Sequence, residues 1–329
     1  MRILVSDALF AEAAQWPDLE GLLDRARLNR CYLDARNPNS ATTNPWLDQV
    51  DQRRRQEWLN ASSWATRDGA IYRLRTFIAD VESNPDAKPL PKITLREGIE
   101  LADRPVTLWV ENGRNDRKFF LALMPAEQRA MFQELERRHI FKVDSRGGLG
   151  ELRVSLAELH ERGSLDSRSN RALFDSDAEV PGHRSRDALS MIAFCESAGL
   201  AYHCLVRRAI ENYIPRKALW NWTTLHGPKR RVERSSKVDA YDRMNSDQRR
   251  HFRMKDGWDA NPSHQVAALF QDVSDVDRQT LRGGIDGDIA SVYDSFMGAI
   301  YDWASKEGID PEVQATINEI ADWIRVPYA

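Results

Sequence analysis

Val106-Thr107-Leu108-Trp109-Val110-Glu111-Asn112-Gly113-Arg114-Asn115-Asp116 is the most informative stretch of this chain. Its first five residues are apolar or β-branched with no polar alternation, which predicts a strand buried on both faces, as in a parallel sheet. The run then ends abruptly in acidic residues. A second stretch repeats the arrangement, with Arg171-Ala172-Leu173-Phe174 running into Asp175-Ser176-Asp177. Open α/β sheets bind ligands outside the carboxyl ends of their strands, so both acidic clusters are expected at one sheet edge. Carboxylates gathered there repel one another unless positive charge lies between them, and an oxygen-bound divalent cation is the simplest source.

On either side of these runs, strand and helix alternate between Pro105 and Pro215. A helical pattern over Arg117–Leu123 follows the first strand. His139-Ile140-Phe141-Lys142-Val143-Asp144 reads as the next strand and meets a turn at Gly147-Gly148 before the amphipathic stretch Glu151–Arg162. The strand Arg171–Phe174 leads past its acids to a helix over Asp187–Ala198. Tyr202-His203-Cys204-Leu205-Val206 is a fourth short strand, with Glu211 beyond its end. Four βα units at this spacing predict an α/β fold, a Rossmann-like parallel sheet with helices on both faces.

The flanks read differently. Residues 1–104 are expected to be mainly helical, with helices over Leu19–Asn29, Asn44–Leu59 and Tyr72–Val81. A proline-rich connection at Asn84–Pro91 and a short helix over Thr94–Asp103 follow. Residues 105–215 make the central domain and 216–329 a C-terminal helical region. There Ile289, Val292, Phe296, Ile300 and Trp303, then Val313, Ile317, Ile320 and Ile324, recur at helical spacing as core stripes.

Composition bounds the function. Hydrophobic content of 42% with 29% charged residues is that of a soluble globular chain. No apolar run reaches membrane-spanning length, and the first seven residues turn acidic too early for a secretory signal. No membrane partner and a cytoplasmic location are therefore expected. Cys31, Cys195 and Cys204 lack paired metal spacing, which predicts neither a disulfide framework nor zinc. A net charge of -3 argues against indiscriminate coating of nucleic acid. Basic residues nevertheless concentrate at Lys229-Arg230-Arg231 and at Arg249-Arg250-His251-Phe252-Arg253-Met254-Lys255. Lys229, Arg230, Arg231, Arg249 and Arg250 are candidate nucleic-acid contacts, the alternative being a solvated charged face. No Gly-x-x-x-x-Gly-Lys-Ser/Thr phosphate loop occurs, so ATP hydrolysis by that route is not expected.

A strand running into Glu111 and a glycine-containing loop, a strand running into Asp175-Ser176-Asp177, and Glu211 after the next strand together resemble the TOPRIM domain. Glu211-Asn212-Tyr213-Ile214-Pro215 is similar to the version in OLD-like and related phage-defence nucleases. The resemblance covers about Pro105–Pro215. It implies that Glu111 is a metal ligand and a general acid or base, that Asp175 and Asp177 hold Mg²⁺ (or Mn²⁺), and that Glu211 completes the set. Asp116 would be the second acidic residue of the first motif, which is one residue longer here than the family's Glu-Gly-x-x-acid. The resemblance also implies a lysine beyond the acidic motifs that neutralises charge developing on phosphate. Among Lys217, Lys229, Lys237 and Lys255, the glycine turn after Arg253-Met254-Lys255-Asp256-Gly257 favours Lys255 as this catalytic group.

The expected function is Mg²⁺-dependent cleavage or nicking of nucleic acid in defence against phage or plasmid. Two cations about 4 Å apart supply both the nucleophile and stabilisation of the leaving oxygen in such chemistry. DNA is the favoured substrate, and an RNase (tRNA included) using the same site is the alternative. A non-catalytic TOPRIM-fold subunit that binds nucleic acid or a partner is the alternative from another class. A separate ABC-type ATPase or sensor subunit is the expected partner, within a homo-oligomer or hetero-complex. His183 and Asp144 lie near the motifs, as a substrate contact or loop residue and as a further ligand or turn cap respectively.

Overall fold

The computed structural model describes residues 1–163, 166–225, 227–308 and 310–327. The chain forms two compact units. One comprises Met1–Val106, Glu134–Lys142 and the segment from Asn318 onward; the other comprises Thr107–Gln133 and Val143–Ile317.

In the first unit, β1 (Arg2–Val5), β2 (Tyr32–Ala35), β3 (Thr76–Ala79) and β4 (Lys92–Ile93) run parallel in the order β2-β1-β3-β4. Ile3, Val5, Leu33 and Phe77 are buried with Leu19, Leu22, Leu23, Trp46 and Trp58. This corrects the expectation of a mainly helical region, because residues 1–104 are α/β. The strands are two to four residues long, too short to stand out as apolar runs. Thr76–Ala79 lies inside the stretch expected as the helix Tyr72–Val81, and sheet pairing overrides that local pattern. The helix expected over Leu19–Asn29 is Trp16–Arg27. That expected over Asn44–Leu59 is displaced to Gln52–Ile71, started by the Asp51 carboxylate, which accepts the Arg54 N–H at 2.8 Å. The short helix after the proline-rich connection is present as Leu95–Asp103, begun by a capping box between Thr94 and Glu97.

The second sheet contains β5 (Val106–Val110), β6 (Phe141–Ser145), β7 (Asn170–Phe174) and β8 (Ala201–Cys204) in the order β6-β5-β7-β8. β7 pairs in parallel with both β5 and β8. β5 matches its expected bounds, and the other three strands fall within two residues of theirs. A helix over Ala126–Arg137 has no counterpart in the sequence reading. Trp109, Ala172 and Phe174 are buried against Leu152, Leu156, Met191 and Cys195, which come from the helices Leu149–Glu161 and Arg186–Ser197. The described elements after Pro215 are helical. Ile289, Val292, Ile300, Val313, Ile317, Ile320 and Ile324 are buried as the helical spacing predicts, while the half-buried Phe296 and Trp303 rings meet at a tilt of 57° with centroids 5.5 Å apart. No described helix is long and apolar enough to cross a membrane.

This order sets the carboxyl ends of β5 and β7 side by side. Both acidic clusters follow from those ends.

Candidate active site

The first cluster is built by a tight turn. Asn112 Oδ1 accepts the N–H groups of Arg114 and Asn115 at 3.2 and 3.1 Å. Asp116, in the first turn of the helix Asn115–Ala122, accepts the Asn112 N–H at 2.8 Å. A Cβ at Gly113 would stand 2.6 Å from Ser145 Oγ, so a larger residue there requires the Ser145 hydroxyl to turn away. The Glu111 carbonyl accepts the Gly148 N–H at 3.2 Å, which ties the strand end to the glycine turn foreseen at Gly147-Gly148.

The second cluster locks directly onto the first. The Asp175 N–H donates to Glu111 Oε1 at 2.8 Å, and Asp175 Oδ1 accepts the Ile210 N–H at 3.1 Å. Buried Ser176 points away and donates to the Arg207 carbonyl at 2.7 Å. Asp177 adopts φ 47°, a left-handed conformation that aspartate tolerates better than most residues. This bend ends strict strand alternation, and both Asp175 and Asp177 line the same cavity.

Two later segments close the site. Glu211 is buried in the short turn Ile210–Tyr213, whose Ile210 carbonyl accepts the Tyr293 hydroxyl at 2.6 Å. Asn212 joins this turn to the next segment. It accepts the Ala209 N–H at 3.1 Å and donates to the carbonyls of Arg249 and Phe252 at 2.8 and 3.0 Å. The chain leaving Phe252 delivers Lys255, whose Nζ lies 2.6 Å from Glu211 Oε1 as an ion pair without hydrogen-bond alignment. Gly257, at φ 79°, allows this approach, because a Cβ there would sit 2.4 Å from the Arg282 carbonyl oxygen.

Glu111, Asp175, Asp177, Arg208, Glu211 and Lys255 thus line one cavity of about 250 Å³. Its electrostatics are unbalanced. Burial pushes the Glu111 carboxyl up to about 8, with the charges of Asp116 and Asp177 adding to the effect against the Asp175 N–H and Lys255. Burial, then Glu211, raises Asp116 to about 6 against its bond from Asn112. Asp175 is raised well above the carboxylate range by burial and by the charges of Glu111, Asp116, Glu211 and Asp177. Burial raises Asp177 as well, opposed by Arg208 and Lys255. Burial works against the Lys255 charge, but Glu211 chiefly, with Asp175 and Asp116, holds its ammonium above the usual value.

Comparison with protein-family models, curated proteins and solved structures finds no match. The site is read from its own chemistry. Among the described residues, no three His, Cys, Asp or Glu side chains stand close enough together to hold one ion as arranged. The donor set still suits Mg²⁺ or Mn²⁺. It is all carboxylate, without thiolate or imidazole, and Glu111 and Asp175 remain raised although Arg208, Arg253 and Lys255 also line the cavity.

The other singled-out residues lie as follows. Lys229, Arg230 and Arg231 are exposed on the helix Pro228–Asp242. Arg249 is half-buried and donates to the main-chain carbonyls of Asp242 and Met244, which commits its guanidinium to the fold. Arg250 is half-buried, 4.0 Å from Asp247. Lys237 reaches the Ile285 carbonyl at 3.2 Å, and Lys217 is exposed on the helix Arg216–Trp222. His183 is exposed and lines a neighbouring cavity with Asp177 and Arg208. Asp144 accepts from the Ser145 N–H and from Arg146, at 2.9 and 2.8 Å, as a turn cap does. Sequence reasoning did not assign Arg208 to the cavity or give Asn212 its linking role. The asparagine directly after Glu211 was the available signal for the latter.

Proposed function

We propose that the second unit is a divalent-cation-dependent phosphodiesterase of the TOPRIM kind that cuts nucleic acid, DNA in the first instance. The resemblance to OLD-like nucleases supports placing it in defence against phage or plasmid. One observation carries the reading: Glu111, Asp175, Asp177 and Glu211, delivered by three separate segments, face a single cavity at the carboxyl ends of β5 and β7, with Lys255 among the basic residues that also line it. Mg²⁺ or Mn²⁺, held by Glu111, Asp175, Asp177 and Glu211, would supply positive charge at the phosphate and a hydroxide nucleophile near neutral pH.

The protein's own groups account for the rest. The Asp175 N–H holds Glu111 Oε1, which leaves the other carboxylate oxygen for the cation. The Ile210 N–H fixes the orientation of the Asp175 carboxylate. Lys255 stands at the cavity with 44% of its side chain exposed, so its ammonium can turn from Glu211 to a phosphate oxygen and neutralise charge that develops there. Asn212 holds the turn bearing Glu211 against the segment leading to Lys255 and acts by positioning.

A binding-only subunit is the second reading, favoured by the Lys255–Glu211 pair, which already places a cation among the acids. Titration of the purified chain with Mg²⁺ and Mn²⁺ over plasmid DNA, single strands and total RNA separates the readings. Cation-dependent cutting that disappears in Glu111→Gln and Asp175→Asn supports the phosphodiesterase and names its substrate. Binding without cutting at any cation concentration would favour the second reading.

A further inference from the structure

The first unit carries a different group of reactive side chains at its own sheet edge. In the order β2-β1-β3-β4 the chain leaves β1 toward one side for β2 and toward the other for β3. The crevice between the carboxyl ends of β1 and β3 is therefore the topological switch point, where open parallel sheets take ligands. Ser6 follows β1 and Asp80 follows β3. Ser6 Oγ donates to Asp80 Oδ1 at 3.2 Å, and the Val81 N–H donates to the same oxygen at 2.9 Å. Lys92, from β4, sets its Nζ 2.8 Å from Oδ2. A cavity of about 500 Å³ opens over Asp80, Lys92 and the segment Val81–Pro85. Both charged side chains reach it partly exposed, 20% for Asp80 and 38% for Lys92.

The charge pattern selects among ligands. A free phosphate is repelled by Asp80 and by Glu82, which also lines the cavity, and a bare divalent cation at Asp80 is repelled by Lys92, 2.8 Å from its carboxylate. A phosphoryl group carried by Asp80 itself meets neither objection once in place, because formation of the mixed anhydride removes the carboxylate charge and sets a dianion beside the ammonium. We propose that Asp80 is a phosphoryl acceptor that takes its group from a small acyl phosphate. Asp80 Oδ2 forms a bond to phosphorus, the bond from phosphorus to the donor's carboxylate oxygen breaks, and that carboxylate leaves with the electron pair. No proton is transferred. The Ser6 hydroxyl and Val81 N–H hold Oδ1, which leaves Oδ2 as the nucleophile, and Lys92 neutralises the incoming oxygens.

The test incubates the full chain with acetyl phosphate and reads intact mass. One phosphoryl increment, labile to hydroxylamine and absent from Asp80→Asn, is the expected result. Lys92→Gln should lower the yield at least roughly tenfold while leaving Asp80 in place. Borohydride reduction of the wild-type adduct, which converts an aspartyl phosphate to homoserine, locates the site even where Asp80→Asn fails to fold. Homoserine at position 80 supports the assignment. No phosphoryl increment, acetylation alone, or homoserine at any other position overturns it.

Discussion

The carboxyl edges of the two sheets differ in how their charge is answered. In the first unit the acids have partners of their own. Lys92, through its hydrogen bond, is the main reason the Asp80 carboxyl lies below its usual range, and Ser40 does the same for Asp7. Buried Asp34, on β2, receives Arg2, Ser62 and Thr66 at 2.9, 2.5 and 3.1 Å. In the second unit five acids crowd together with Lys255 lodged against one of them, and Glu111, Asp116, Asp175 and Asp177 are all pushed upward. Paired charges hold a fold together. A cluster of mutually repelling acids costs stability, which the cation proposed for this site would offset.

The difference predicts opposite responses to the same kind of substitution. Glu111→Gln and Asp175→Asn should each lower cation-dependent cleavage by about 100- to 1,000-fold. Each should also leave the cation-free chain as stable as the wild type at pH 8, or more so, because a repelling charge is removed. Cleavage rates set beside thermal melts check both halves. Loss of activity together with loss of fold would place these acids with the structural pairs of the first unit.

Asp34→Ala tests the other edge. It strands Arg2, Ser62 and Thr66 around an empty acceptor position, and removal of one member of a buried charged network costs about 3 kcal/mol. Urea unfolding midpoints measure the cost. An unchanged midpoint would mean that the first edge is as weakly invested in its charges as the second.

Dependence on pH separates the edges next. Glu111 has an ordinary value of 4.5 and lies at about 8 in the fold, so the folded state holds this proton more tightly than the unfolded state does. Its favourable contribution is complete below 4.5 and is lost as pH rises toward about 8. Asp116 adds a loss of the same sign between 3.8 and about 6. Without divalent cation, stability should fall across this window by an amount on the order of a few kcal/mol. Mg²⁺ should flatten the slope, and Glu111→Gln should remove most of it between pH 6 and 8. Asp80, held below its ordinary 3.8, contributes with the opposite sign, its stabilisation being lost only as pH falls into the acid range. A stability profile without a downward slope toward alkaline pH would remove the contrast.

The sequence disclosed the second edge far better than the first, for reasons of length and repetition. Val106–Val110 and Arg171–Phe174 are apolar runs that end in acid, so strand, strand end and cavity-facing carboxylates could be read together. Lys255 stood out because lysine is scarce and a glycine turn follows it, a turn later explained by the 2.4 Å approach of the Arg282 carbonyl oxygen to a Cβ at Gly257. Tyr32-Leu33-Asp34-Ala35 offered no comparable signal, since its buried acid interrupts the apolar pattern and the partners of that acid lie on other elements. Arg249 misled for a related reason. A basic run reads as a surface, and sequence does not show that two main-chain carbonyls will absorb one of its guanidiniums.

Asp177 gives the smallest effect and the finest distinction. Its N–H bonds to the Arg208 carbonyl at 2.8 Å whatever the side chain, and its φ of 47° suits asparagine as well as aspartate. Asp177→Asn therefore keeps the backbone and the volume and removes only the charge. Burial disfavours that charge, while Arg208 and Lys255 favour it. Since burial is the larger influence, the variant should match or exceed wild-type stability, by no more than about 0.5 kcal/mol, without divalent cation. With Mg²⁺ it should lose part of the cation-dependent rise in melting temperature. Destabilisation by more than about 1 kcal/mol in the cation-free state would instead make Asp177 and Arg208 a structural pair of the Arg2–Asp34 kind, and the unbalanced cluster would be one acid smaller.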